Sequence, residues 1–190
     1  MPLHLKIYST IMTETLKPQT PSQTVGPYFA YGLVPQQYGY NFESLAGNDL
    51  TKGLEGSKTI TLTGKVYDGN EQPMEDAMIE LWLDDGENRL FGRYGTGTEE
   101  DKSFVFKAVK PKSVNGQAPH ISVILFMRGQ LLHSYTRIYF EDEADLNETD
   151  EVLKAVSSER RPTLIAKKKG DGYEFDIHMQ GPLETVFFQL

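Results

Sequence analysis

An all-β sandwich with an extended N-terminal arm and one short helical segment is the fold class this sequence predicts, and three observations lead there. The first is a nearly unbroken apolar run from Ile121 to Met127, closed by the polar pair Arg128-Gly129. It is too short to span a bilayer and is bounded by breakers rather than helix caps, so it reads as a central strand buried on both faces. The second is alternation of apolar and polar residues with a period of two. Ile60, Leu62 and Val66 alternate with Thr61, Thr63 and Lys65, and residues 104–109 and 135–140 repeat the pattern. The third is the spacing of turn chemistry, with Asp68-Gly69-Asn70 and Asp85-Gly86-Glu87-Asn88 separating the runs. Roughly eight short strands with little helical periodicity argue for a sandwich or open barrel rather than alternating β/α units.

In chain order, residues 1–20 read as an arm, and residues 21–190 as a single domain. The arm's apolar positions (Leu5, Ile7, Ile11, Met12, Leu16) are sparse, yet too many for a purely solvated tail. Next comes Thr20-Pro21-Ser22-Gln23-Thr24-Val25-Gly26-Pro27-Tyr28, whose prolines restrict the backbone. Two readings stand: a rigid linker with an aromatic plug, or a frame that fixes the Thr24 hydroxyl and the Tyr28 phenol. Residues 35–56 are polar and glycine-containing, a surface connection with little regular structure. Residues 77–83 form a strand with Glu80 and Trp82 on one face and Ile79, Leu81 and Leu83 on the other. Past the central strand, residues 141–145 are acidic and read as solvated, and residues 150–156 predict two helical turns opened by carboxylates. Residues 163–167 and 173–179 predict a closing hairpin, and residues 184–188 a terminal strand.

Composition narrows the chemistry. With 19 basic against 27 acidic residues, a formal charge of -8, the chain is poorly suited to a nucleic-acid backbone. It has no cysteine, which removes disulfides, thiolate nucleophiles, zinc–thiolate sites and iron–sulfur clusters. Without a leader pattern or a long apolar stretch, the reading is a soluble, cytoplasmic protein. No phosphate loop, dinucleotide fingerprint or His-Glu-x-x-His is present. Of the four histidines, His120 is the best candidate for chemistry, because it opens the apolar strand. A histidine donating to a backbone carbonyl at a strand entrance is the plainer alternative. Ser122 shares its face, but the pair is too splayed for an activated nucleophile and has no orienting acid.

Several segments together resemble the intradiol ring-cleaving dioxygenases. They are Thr20-Pro21-Ser22-Gln23-Thr24-Val25-Gly26-Pro27-Tyr28, Gly64-Lys65-Val66-Tyr67-Asp68-Gly69, Ile79-Glu80-Leu81-Trp82, Ala118-Pro119-His120-Ile121, Arg137-Ile138-Tyr139-Phe140 and Phe175-Asp176-Ile177-His178-Met179-Gln180-Gly181. The resemblance implies the family's β-sandwich with a strand-exchanging arm. Catalytic members hold a ferric ion with two tyrosines and two histidines, the latter as His-x-His. Here that segment reads His120-Ile121-Ser122, so His120 and Ser122 are degenerate ligand positions. Residues 112–117 and 84–90, where the tyrosine ligands are expected, contain no tyrosine, and the second connection is shorter than usual for the family. Serine is a poor ferric donor beside imidazole or phenolate.

The resemblance therefore implies a chain with no catalytic residue and no metal of its own. Its partner would be an iron-bearing subunit of the same family, Fe(3+) being held there, within a higher hetero-oligomer. Thr24, Tyr28 and Arg128 would complete the partner's substrate pocket. The implied reaction is cleavage of protocatechuate by dioxygen to 3-carboxy-cis,cis-muconate. Two rivals are a self-sufficient iron enzyme, in which His120, His133 or His178 joins Tyr94 or Tyr135, and a transthyretin-like binding module with no chemistry.

Overall fold

A computed structural model describes residues 28–54 and 58–189. The predicted arm, residues 1–20, and Thr24 lie outside the described residues. Eight strands form one sheet in the order β4-β3-β6-β7-β8-β9-β1-β5, and a two-stranded pair, β10-β2, sits beside it. In sequence the strands are β1 (Thr59–Gly64), β2 (Val66–Tyr67), β3 (Met78–Asp84), β4 (Arg89–Gly95) and β5 (Phe104–Val109). They continue as β6 (His120–Phe126), β7 (Ser134–Phe140), β8 (Ile165–Lys169), β9 (Gly172–Glu174) and β10 (Ile177–His178). Most neighbours are antiparallel; β7 with β8, β1 with β9 and β2 with β10 run parallel.

The eight-stranded sheet curls until its end strands, β4 and β5, approach each other, and residues 47–50 close the remaining gap. The Arg93 N–H donates to Gly47 O at 3.0 Å, while Lys107 N–H reaches Asn48 O and Leu50 N–H reaches Lys107 O, both at 2.8 Å. Each open sheet edge has unpaired backbone groups, and this segment satisfies part of both. The expectation of a plain surface connection over residues 35–56 is corrected on that point. Gly92 is needed at the seam, because a β-carbon there would collide with the Leu50 side chain.

Inside the curl, Leu62, Phe104, Phe106, Ile79, Leu81, Ile121, Val123, Leu125, Ile138 and Phe140 form one apolar core. The central strand β6 departs from expectation. Ile121, Val123 and Leu125 are buried, but His120, Ser122, Ile124 and Phe126 are only half-buried. One face of β6 looks into the core while the other looks out of the curled sheet, where cover is incomplete.

Helical structure exceeds the single segment expected. Helix α1 (Tyr28–Leu33) and the residue after it cover the Met78 and Phe126 end of the outer face through Ala30 and Val34. The acidic stretch read as solvated forms a 3-10 turn, Glu141–Glu143, and helix α2 (Ala144–Thr149). Helix α3 (Glu151–Ala155) follows, with Asp150 as its N-cap. The predicted hairpin forms between β8 and β9, but residues 175–176 break the strand and β10 pairs with β2 instead. The expected terminal strand is reduced to one bridge, Phe188 with Tyr135. Thr185 and Val186 are instead tied to β10 and β7, where the Thr185 hydroxyl accepts from His178 N–H and the Thr136 hydroxyl donates to Val186 O. Among the described residues no helix is long and apolar enough to cross a membrane.

Candidate functional site

Cross-strand register builds the outer face. Trp82 lies opposite Phe91 and Ser122, Ser122 opposite Arg137, and His120 opposite Tyr139. A shallow groove of about 200 Å³ runs along this face, walled by Trp82, Leu90 and Val114 and ending at His120 and Ser122. Glu80 and Arg93 form a mostly buried ion pair beside it at 2.6 Å.

The His120 ring is held from below. Its Nδ1 lies 2.8 Å from Ala118 O. A carbonyl only accepts, so Nδ1 has the proton and Nε2 presents its lone pair. Nε2 has no hydrogen-bond partner among the described residues. Burial lowers the pKa of His120, with Arg137 adding to the shift against the Ala118 bond and Asp150, so the neutral ring is favoured. Ala118 is fixed in turn by its N–H donating to Asp150 Oδ2 at 2.9 Å. The other Asp150 oxygen accepts from Leu153 N–H at 2.8 Å and from the Tyr139 hydroxyl at 3.1 Å. Burial raises the Tyr139 phenol to about 12, so it stays protonated as a donor.

These residues do not fit a ferric ion. His120 offers one nitrogen, and the Ser122 hydroxyl already accepts from Tyr135 at 3.0 Å. The expected tyrosine positions are tight turns. Asp85 accepts from the N–H groups of Glu87 and Asn88 to close the β3–β4 hairpin, and Ser113 donates to Gln117 O across the other loop. His178 stacks on Tyr67, His133 packs against Phe126, and the Tyr94 hydroxyl is engaged with Thr98 and Glu99. None of these joins His120. Among the described residues no group of three or more His, Cys, Asp or Glu converges on a metal position.

Arg128 lies in the turn after β6, so the strand puts His120 and Arg128 at opposite ends. The strand itself, His120–Phe126, spans about 20 Å. Gly129 adopts φ +85°, which turns the chain away beside the guanidinium. Arg128 Nε lies 3.2 Å from Asp76 Oδ2, the arginine side chain being 57% exposed and the aspartate 12%. Tyr28 opens α1, and that helix packs on Met78 and Phe126, each two residues from Asp76 or Arg128. The first described residues and Arg128 therefore share one end of the outer face. Sequence reasoning missed Asp76 and Asp150 as partners. Asp76 sits among turn residues with no apolar pattern to mark it as buried, whereas Asp150, ahead of an apolar helical turn, had the signature of a cap.

No family model matches the chain. Among curated proteins, the protocatechuate 3,4-dioxygenase alpha chain of Burkholderia cepacia is 46% identical over 196 aligned positions, covering 93% of this chain and 99% of that one. The protein of the same name from Pseudomonas putida is 40% identical, covering 91% and 97%. Among solved structures, an intradiol ring-cleavage dioxygenase from Tetranychus urticae superposes with a TM-score of 0.57 at 16% identity, over 90% of this chain and 98% of that one. The dioxygenase domain of a carbohydrate-binding fusion from Streptomyces sp. SirexAA-E gives 0.56 at 20% identity, over 89% and 100%. Those two likenesses speak for the fold, the intradiol dioxygenase β-sandwich in its curled, nearly closed form. The two curated relatives, matched along nearly their whole length, speak for the family, and the chain belongs to that of the protocatechuate 3,4-dioxygenase alpha chains.

Proposed function

We propose that this chain is the iron-free subunit of a protocatechuate 3,4-dioxygenase, working beside a beta subunit that holds the ferric ion. Its own contribution to the substrate pocket is Thr24, Tyr28 and Arg128. The reaction is intradiol cleavage of protocatechuate by dioxygen to 3-carboxy-cis,cis-muconate. What supports this reading is the 46% identity to an alpha chain, together with the sequence His120-Ile121-Ser122 where the resemblance expects His-x-His. The packing of Ala30 on the Met78 and Phe126 end of β3 and β6, the end where Arg128 pairs with Asp76, adds to it.

Protocatechuate has a carboxylate opposite its hydroxyls, and an arginine is the side chain best shaped to receive one, through two parallel charge-assisted hydrogen bonds. A cation there favours a substrate with a carboxylate over plain catechol. The test is co-expression with the iron-bearing chain, followed by iron content and oxygen uptake. Replacing Arg128 by Met should weaken protocatechuate by roughly 1.5 to 3 kcal/mol, and catechol much less, with iron content unchanged. An equal loss for both substrates, or none, would remove Arg128 from the pocket.

A further inference from the structure

Asp76 places a mostly covered carboxylate at the edge of an otherwise ordinary turn. Its side chain is 12% exposed, one oxygen faces Arg128 Nε, and the other, Oδ1, is buried without a hydrogen-bond partner among the described residues. Burial raises the Asp76 pKa against the lowering effect of Arg128, so the arginine is the main counterweight to an unfavourable environment. Stability alone gives little reason to keep such a group, since an apolar residue there would avoid the desolvation cost.

The geometry of the contact is more informative. A carboxylate that meets a guanidinium at Nε leaves the far edge of the fork free. Arg128 has five N–H donors, and none makes a hydrogen bond among the described residues, the contact with Asp76 being an ion pair. An arginine 57% exposed on a turn samples many rotamers unless something anchors its head. Asp76, fixed just ahead of β3, is that anchor.

We propose that Asp76 is a positioning residue for the substrate's carboxylate, holding Arg128 by Nε so that its terminal amino groups face the ligand as a fork. The proposal rests on the reading of Arg128 given above and adds a second determinant of the preference for protocatechuate over catechol.

The test uses the reconstituted complex and the ratio of kcat/KM for protocatechuate to that for catechol. Asp76→Asn, nearly isosteric and relieved of a buried charge, should lower the ratio roughly 3- to 30-fold, through KM for protocatechuate rather than kcat. The same substitution in the Arg128→Met background should change the ratio by less than about twofold, because a residue acting through Arg128 has nothing left to orient. Arg128→Lys keeps the charge and leaves Asp76 in place, but its single ammonium cannot anchor and present a fork together, so the ratio should also fall. An unchanged ratio in Asp76→Asn, an equal fall in both backgrounds, or full selectivity in Arg128→Lys would each overturn the proposal. If Arg128→Met lowers the ratio and Asp76→Asn does not, only the positioning role fails. If Arg128→Met itself leaves the ratio intact, the reading of Arg128 fails with it.

Discussion

Asp150 is fully buried, yet each of its oxygens has partners: Ala118 N–H on one, and Leu153 N–H and the Tyr139 hydroxyl on the other. Burial pushes its pKa up, but these donors outweigh that effect and the net shift is downward. A depressed carboxylate pKa contributes stability that is complete above the ordinary value, about 3.9, and is lost as pH falls from there through the folded pKa. Asp150→Asn should therefore cost about 1 to 3 kcal/mol at neutral pH, and the gap to the native protein should narrow below about pH 4. Urea unfolding across pH 3 to 7 reads both, and a gap that does not change with pH would contradict the assignment. His120→Ala removes a donor to Ala118 O and should lower the melting temperature or disturb assembly before it affects turnover. A variant complex with native melting, iron and stoichiometry but no activity would reverse that role. Of these contacts, a His120 bond to a carbonyl was legible in the sequence, because a strand entrance offers one. The Asp150 bond to Ala118 was not, since 32 residues separate the two and no periodicity links them.

At the scale of elements, the sequence located strands where period two was strong, and residues 104–109 match β5 to the residue. It overestimated strand content at the C-terminus, where residues 184–188 have the right composition but no sheet edge to join. It also assigned both faces of β6 to the core, because Ile124 and Phe126 are as apolar as Val123 and Leu125. Apolarity alone does not tell an inner face from an outer one partly covered by α1. The closing segment 47–50 was invisible for the opposite reason: its role is made by backbone hydrogen bonds, which any sequence can supply. Its side-chain signature is Gly92, where a β-carbon would meet Leu50 and, at 3.0 Å, the Gly47 carbonyl oxygen that accepts from Arg93. Gly92→Ala should destabilise the chain by roughly 1 to 3 kcal/mol, and Gly92→Ala with Leu50→Ala should cost less than the sum of the two single changes, because the worst clash is with the Leu50 side chain. Chemical denaturation of the single and double variants measures this, and a neutral Gly92→Ala would mean the seam relaxes freely.

For the whole molecule, the question is whether one chain can hold iron without its partner. A ferric site in this fold class needs hard, anionic oxygen donors beside imidazole. Ser122, where the resemblance expects a second histidine, has its hydroxyl engaged by Tyr135, and the two connections expected to supply phenolates are tight turns without tyrosine. His120 Nε2 remains a single neutral donor, and one imidazole cannot retain a ferric ion against water and hydroxide. The purified chain should thus contain far less than one iron per molecule after passage over a chelating resin, and show no visible phenolate-to-iron absorption when ferric salt is added. The co-purified complex should contain about one iron per pair of unlike chains, with that absorption present, since the ligands would all belong to the beta subunit. Metal analysis and visible spectra of the two preparations decide the matter together. Stoichiometric iron in the isolated chain would revive a self-sufficient site around His120. A coloured complex whose iron survives His120→Ala would assign the metal to the partner alone.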